Sequence, residues 1–278
     1  MMGREMLMKF LRDHSFKGKH RLAKWLYPNL GECIVPYANQ YLIGINVSEH
    51  QGGVIFWDQK YESETSWIIK RFLHTPDSVA VDIGANIGSF TLMLAEVASK
   101  VHSVEPHPDF RKRLDRNIRL NNLKNVEVHP LAISSAEGAR ILYSPPQHMM
   151  NKSASLTDSN PALEEKIEVQ AITLEKFLAG FNRLDFLKID ADGSDADIIL
   201  SGLIELSRLR PVIYFEDNGG WKGSKEDLIN AEFLDDKYEI CFTKLAEMGY
   251  QLFLVLDGYL VPTKRIRGTL NMYLAIPI

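Results

Sequence analysis

The sequence predicts an α/β fold: a mostly parallel, doubly wound sheet, preceded by a smaller N-terminal extension. Three observations carry this expectation. From Pro76 onward, short continuous apolar runs alternate with helical stretches, the rhythm of parallel strands joined by crossover helices. The run VDIGANIGSF, Val81 to Phe90, places two glycines four apart where a strand turns into a helix. The last two apolar runs, YQLFLVLDG and NMYLAIPI, stand too close together for a crossover helix, so they are expected to pair antiparallel.

Bulk properties agree with one large domain carrying an extension. The chain has 278 residues, 45% hydrophobic and 24% charged, with a net charge of −4. That mild acidity leaves no dominant basic face, so nucleic acid is not an expected partner. Two cysteines, Cys33 and Cys241, make no disulfide framework and suit a reducing compartment. No apolar run is long enough for a transmembrane segment. The N-terminal apolar stretch MLMKFL is cut by Lys9 and lacks a cleavage site, so a cytoplasmic location is expected.

Residues 1–60 read as an N-terminal helix and small-strand extension, and 61–278 as the main domain. Residues 1–30 hold seven Lys/Arg against two acids, and Met6, Phe10 and Leu11 fall at helical spacing. Two readings stand for this segment: peripheral contact with a membrane surface or anionic glycan, or docking on its own domain or on a partner subunit of a homo-oligomer. YLIGIN and GGVIFW read as small strands, and YESETSWIIKRFL as a helix with Trp67, Ile68, Phe72 and Leu73 on its apolar side. Then follow strand SVAVDI, helix NIGSFTLMLAEVAS, strand KVHSVEP, helix DFRKRLDRNIRLNN and strand NVEVHP. DFLKID and RPVIYFE are two further strands, separated by a helix around ADIILSGLIEL. Helix KYEICFTKLAEMG precedes the terminal strand pair, which a basic turn, TKRIRG, connects. Between ILYS and KIEVQAITL lies a Pro-, Ser- and Asn-rich loop of the kind used as a lid or binding loop.

Chemistry concentrates at the glycine turn. Asp82, Gly84, Ala85, Asn86 and Gly88 give D-x-G-x-x-x-G, in which the glycines permit a tight turn and leave amides free at a helix N-terminus. A dinucleotide fold needs a glycine where Asn86 stands, and a phosphate-cradling loop needs a G-K-[ST] that is absent. Glu105, followed by Pro106, ends the second strand 23 residues beyond Asp82, where a carboxylate accepts both hydroxyls of a ribose. A nucleoside-bearing ligand without phosphates is the expected occupant, and S-adenosyl-L-methionine is the natural candidate. The turn amides would take its carboxylate and Asp82 its ammonium.

VDIGANIGSFTL, SVEPHPDF, KIDADGSD and RPVIYFE, in that order and spacing, resemble the FkbM family of S-adenosylmethionine-dependent methyltransferases from Tyr61 to the C-terminus. The resemblance implies the class I methyltransferase (Rossmann-like) sheet of seven strands with the last reversed. It also implies that Glu62, in YESE, lies near the cofactor and that Leu131 and Ala132 flank the adenine. The family's K-I-D-x-E-G-x-E stands here with Asp192 and Asp195 in place of both glutamates.

On the acceptor side, Asp190 and Asp192 at the C-terminal end of the fourth strand are the candidate catalytic residues, and Asp190 is also counted among the cofactor contacts. The neighbouring strand ends in Glu216, Asp217 and Asn218, so Asp190, Asp217 and Asn218 form a candidate site for Mg²⁺. His102, His107 and His129 are scattered without ligand spacing and read as ordinary surface or core residues. The expected activity is O-methylation of a hydroxyl on a sugar, glycan or other natural product. The alternatives are a non-catalytic member of the fold that binds cofactor or glycan, and, disfavoured by Asn86, a nucleotide-dependent oxidoreductase.

Overall fold

The computed structural model describes residues 2–14, 16–38, 40–58, 65–144, 165–217, 228–256, 258–266 and 271–278. Helices α1 (Met2–Asp13) and α2 (Lys19–Leu26) lead into a hairpin of β1 (Glu32–Tyr37) and β2 (Tyr41–Asn46), then α3 (His50–Asp58) and α4 (Ser66–Phe72). The alternating part begins with β3 (Val79–Ile83), α5 (Ser89–Val97), β4 (Lys100–Val104), α6 (Pro108–Leu120) and β5 (Val126–His129). Strands β6 (Ala132–Ile133), β7 (Gly138–Ser144) and β8 (Glu165–Ile172) form a small separate sheet, ordered β6-β8-β7. The chain continues through α7 (Leu174–Leu178), β9 (Phe186–Ile189), α8 (Asp195–Leu200), α9 (Leu203–Leu209) and β10 (Val212–Asp217). It ends with α10 (Leu228–Glu247), β11 (Tyr250–Leu256), β12 (Tyr259–Pro262) and β13 (Asn271–Pro277).

The main sheet runs β12-β11-β13-β10-β9-β3-β4-β5. Strands β3, β4, β5, β9 and β10 are mutually parallel, while β13 lies antiparallel between β10 and β11. The reversed last strand and the antiparallel terminal pair therefore stand as expected. The sheet has eight strands rather than seven, because Tyr259–Pro262 folds back as β12 on the outer edge of β11. Four residues ending in proline carry too little periodicity to stand out, and an edge is where a strand proline is tolerated.

Alternation along the strands divides the core into two layers. Ala80, Val101, Phe186 and Tyr214 face α5 and the N-terminal segment, whereas Val81, Ile83, Leu187, Ile213 and Phe215 face α7 to α10. The N-terminal residues Leu11, Ala23, Ile43, Phe56 and Trp57 belong to the first layer. In α1 only Leu11 of the expected apolar trio is buried; Met6 and Phe10 are exposed. Lys19 is buried, donating to the Trp57 carbonyl at 2.7 Å and pairing with Asp58 at 2.9 Å, so part of the basic surplus is consumed within the chain. GGVIFW, expected as a strand, is helical in α3, where Ile55, Phe56 and Trp57 are all buried. A short apolar run enclosed on several sides has no period to separate helix from strand.

The free edge of β2 is closed by a side chain of α6 and that of its C-cap residue rather than by a strand. Asn117 Oδ1 accepts the Gly44 N–H at 2.7 Å, and Asn121 Oδ1 accepts that of Leu42 at 2.8 Å. Their amide groups donate to the Gly44 and Leu42 carbonyls, and Asn117 Nδ2 also donates to Ile87 in the glycine turn at 2.8 Å. Among the described residues no helix is long and apolar enough to cross a membrane. The Pro- and Ser-rich loop between β7 and β8 lies outside the described residues.

Candidate active site

Strand β3 ends at Ile83, and the backbone then turns through Gly84 at φ +74°. A Cβ there would lie 1.9 Å from the carbonyl oxygen of Asp190, so only glycine lets the ends of β3 and β9 close on each other. The Asp190 N–H completes the junction, donating to the Ile83 carbonyl at 3.1 Å. Sequence reading expected the turn amides to be free for a ligand; the structure has most of them engaged. Gly84 and Ala85 donate to the Val104 carbonyl at 3.0 and 3.1 Å, Gly88 to that of Ala85 at 2.8 Å, and Asn86 to Glu105 Oε2 at 2.8 Å. A buried turn must satisfy its own N–H groups, and the end of β4, Glu105 after it and the turn itself supply the acceptors.

Glu105 is held from two sides, its Oε1 accepting the His107 N–H at 2.7 Å while Oε2 takes that of Asn86. It is 5% exposed, and burial pushes its carboxyl up to about 7 despite both donors. Asp82, expected at the ligand, is fully buried beneath the turn instead. Its Oδ2 accepts the Thr91 hydroxyl at 2.6 Å, and its Oδ1 forms an ion pair at 3.2 Å with Lys188 Nζ, without hydrogen-bond alignment. Lys188, to which no role was given from sequence, is 3% exposed; its Nζ donates to the Gly84 carbonyl at 3.2 Å and stands 3.4 Å from Asp190 Oδ2. Its signal in the sequence is a single cation inside the otherwise apolar strand FLKI.

A cleft open to solvent lies over the ends of β3, β4 and β9. Of the residues singled out from sequence, Gly84, Asn86, Glu105, Pro106, Ala132, Asp190 and Asp192 line it. Phe110, Ile133 and Leu142, which sequence reading passed over, add an apolar wall. Ala85, Gly88 and Leu131 lie outside the lining; Ala85 is buried within the turn, and Gly88 caps α5. No lysine or arginine is among the described lining residues.

The model of the methyltransferase FkbM domain matches residues 82–252, more than half of the chain and the whole of this site. The chain belongs to the FkbM methyltransferase family. Methyltransferase 1 of Beauveria bassiana is 26% identical over 143 residues, covering 44% of this chain and 57% of that protein. The AMB antimetabolite synthetase AmbE of Pseudomonas aeruginosa is 25% identical over 210 residues, 62% of this chain and 10% of that much longer protein. The chain thus spans less than two thirds of each of these relatives. Among solved structures, the methyltransferase FkbM of Methylobacillus flagellatus KT is similar at 14% identity and a TM-score of 0.47, covering 76% of this chain and 47% of that one.

In this FkbM chain the acids beyond β9 divide their roles. Asp195 is fully buried and accepts the Ala191 N–H at 3.1 and 3.2 Å, and burial raises its carboxyl well above the ordinary range. It closes the turn after β9. Asp192 is exposed at the cleft rim in a left-handed conformation, φ +48°. Glu216, beside Asp190 in the β9–β10 register, hydrogen-bonds to the Asp190 carboxyl. Burial first, and then the Asp190 and Asp192 charges, raise its affinity for a proton.

The metal expectation does not survive at Asp217. That carboxylate points to the other face of β10 and is fully buried against Arg265, whose Nε and Nη2 donate at 2.7 and 3.2 Å. A cation would have to displace the guanidinium. Asn218 and Glu62 lie outside the described residues. The histidines are not scattered, however. The β4–β5 register sets His102 opposite Glu127 and Val104 opposite His129, and the two imidazoles meet, His102 Nδ1 to His129 Nε2, at 3.0 Å. Burial lowers the basicity of both rings, that of His102 to a pKa of about 4. His107 caps α6, accepting the Asp109 N–H.

Proposed function

We propose that this chain transfers a methyl group from S-adenosylmethionine to a hydroxyl oxygen on a sugar, glycan or other natural product, using residues of the 61–278 region. The observation that carries the donor assignment is the charge of the cleft. Its described lining offers the carboxyls of Glu105, Asp190 and Asp192 and no basic side chain, which suits a cationic sulfonium and opposes a pyrophosphate. The other parts of the cleft fit the same ligand. Glu105, with both oxygens fixed by backbone donors, keeps acceptor capacity for a vicinal diol. Phe110, Ala132, Ile133 and Leu142 suit an adenine, and Asp190 replaces the buried Asp82 as the partner for an ammonium.

When bound, the donor supplies an activated methyl group on sulfur, so the protein's main contribution is alignment. Proton removal from an alcohol acceptor falls to Asp190, which the hydrogen bond to Glu216 and the nearby Lys188 ammonium hold in place. Asp192 at the rim orients the acceptor.

Calorimetry with S-adenosylmethionine and with NAD tests the reading. The first is expected to bind and the second not, and Glu105→Ala is expected to weaken donor binding by about ten- to a hundredfold, the value of hydrogen bonds to a charged acceptor. Binding of NAD without S-adenosylmethionine would sink the proposal. Transfer of labelled methyl into glycan or metabolite extracts then separates an enzyme from a module that only binds its ligand.

A further inference from the structure

The geometry points to a second site, outside the cleft: His102, Glu127 and His129 form a binding site for a divalent transition-metal ion of borderline softness, with Zn²⁺ as the matching probe. The three side chains project from one face of the adjacent strands β4 and β5. His102 Nδ1 lies 3.0 Å from His129 Nε2; Glu127 places Oε2 3.8 Å from the first nitrogen and Oε1 3.8 Å from the second, and one donor atom from each residue lies within 4.8 Å of the others. A tetrahedral ion with bonds of about 2.0–2.2 Å separates its ligand atoms by roughly 3.4 Å, so the imidazoles need to part by a few tenths of an ångström while the half-exposed Glu127 carboxylate swings in to meet them. Two imidazoles and one carboxylate are a donor set that Zn²⁺ accepts with a fourth position left for water.

The surroundings favour the ligand role over a simple hydrogen-bonded pair. His102 and His129 stand against the rings of Phe181 and Phe177, with centroids 4.7 and 5.1 Å away, which shields one side from water. Glu127 is half exposed and leaves the opposite side open to an entering ion. Lys100 Nζ, 2.8 Å from Glu127 Oε2, competes for that carboxylate, but it is half exposed and free to turn into solvent. The ring that donates in the His102–His129 hydrogen bond would move its proton to its other nitrogen, a change of tautomer without change of charge. The His129 carbonyl accepts the Glu105 N–H at 3.2 Å, so an ion here would brace the edge strand directly behind the cleft.

The full chain, stripped with a chelator and dialysed, is titrated with Zn²⁺ against a chromophoric competitor and with Co²⁺ by visible absorption. One equivalent of Zn²⁺, a tetrahedral Co²⁺ band and a metal-dependent rise in melting temperature are expected. His129→Gln and Glu127→Gln should lose the band and the rise while melting like the metal-free wild type. Wild-type binding of less than one equivalent at micromolar free Zn²⁺ overturns the proposal whether or not a variant folds. Binding of unchanged affinity in folded His129→Gln overturns it equally.

Discussion

Gly84 has room for no side chain: its positive φ and the 1.9 Å approach to the Asp190 carbonyl act together. Gly84→Ala is expected to destabilise the fold by about 3 kcal/mol or more, since backbone strain and a steric shift add, and a denaturant midpoint reads this directly. Glu105 makes a different prediction. Its folded carboxyl holds a proton up to about 7, whereas the unperturbed value is 4.5. The group therefore favours folding below about pH 4.5, and that contribution is lost as pH rises to about 7. Glu105→Gln removes the titration, so relative to wild type the variant should gain up to about 3 kcal/mol between about pH 4 and pH 8. A flat difference across denaturation curves at several pH values would refute the assignment. The type and place of Glu105, Asn86 and Asp190 were legible in the sequence because strand ends and turn residues announce the switch-point crevice. The role of Asp82 was not, because a carboxylate inside a strand gives no sign of which lysine will meet it.

Strand parity explains which acids converge. Consecutive residues of β10 face opposite ways, so Glu216 and Asp217 cannot both reach Asp190, and this much was available from a period of two. Glu216 goes to the Asp190 carboxyl, and Asp217 to the Arg265 clamp between β10 and the segment after β12. The Arg265 side chain is 2% exposed, so Asp217→Ala would take away its two-bonded partner and leave the longer contact with Glu239 at 3.8 Å, and is expected to lower stability by about 3 kcal/mol, measured by chemical unfolding. Were Asp217 a ligand for Mg²⁺, stability of the metal-free protein would instead change little or rise. The parallel strands were readable because each is a continuous apolar run between turn residues. The β12 edge, the α3 helix and the His102–His129 pairing were not, since each depends on register or enclosure that only neighbouring elements define.

At the scale of the whole molecule, the N-terminal segment shares a core layer with the sheet that carries the cleft. Leu11, Ala23, Val35, Ile43, Ile55 and Trp57 are buried together with Ile68, Leu92 and Phe186. A fragment of residues 61–278 would expose the facing side of that layer, and we expect it to be insoluble or to lose cooperative unfolding. A sharp two-state transition in the fragment would restore the division at residue 60 as a true folding boundary. The link between the two parts also sets a register. A two-stranded hairpin such as β1–β2 is free in principle to slide along its support by two residues without turning its faces over. Asn117 opposes this, because a Cβ brought to the place of Gly44 would lie 3.1 Å from its Oδ1 and push the amide aside by a few tenths of an ångström. The place of the hairpin on the α6 surface, and through Asn117 Nδ2 the position of Ile87 in the turn, is thus indexed by two amide side chains spaced one helical turn apart.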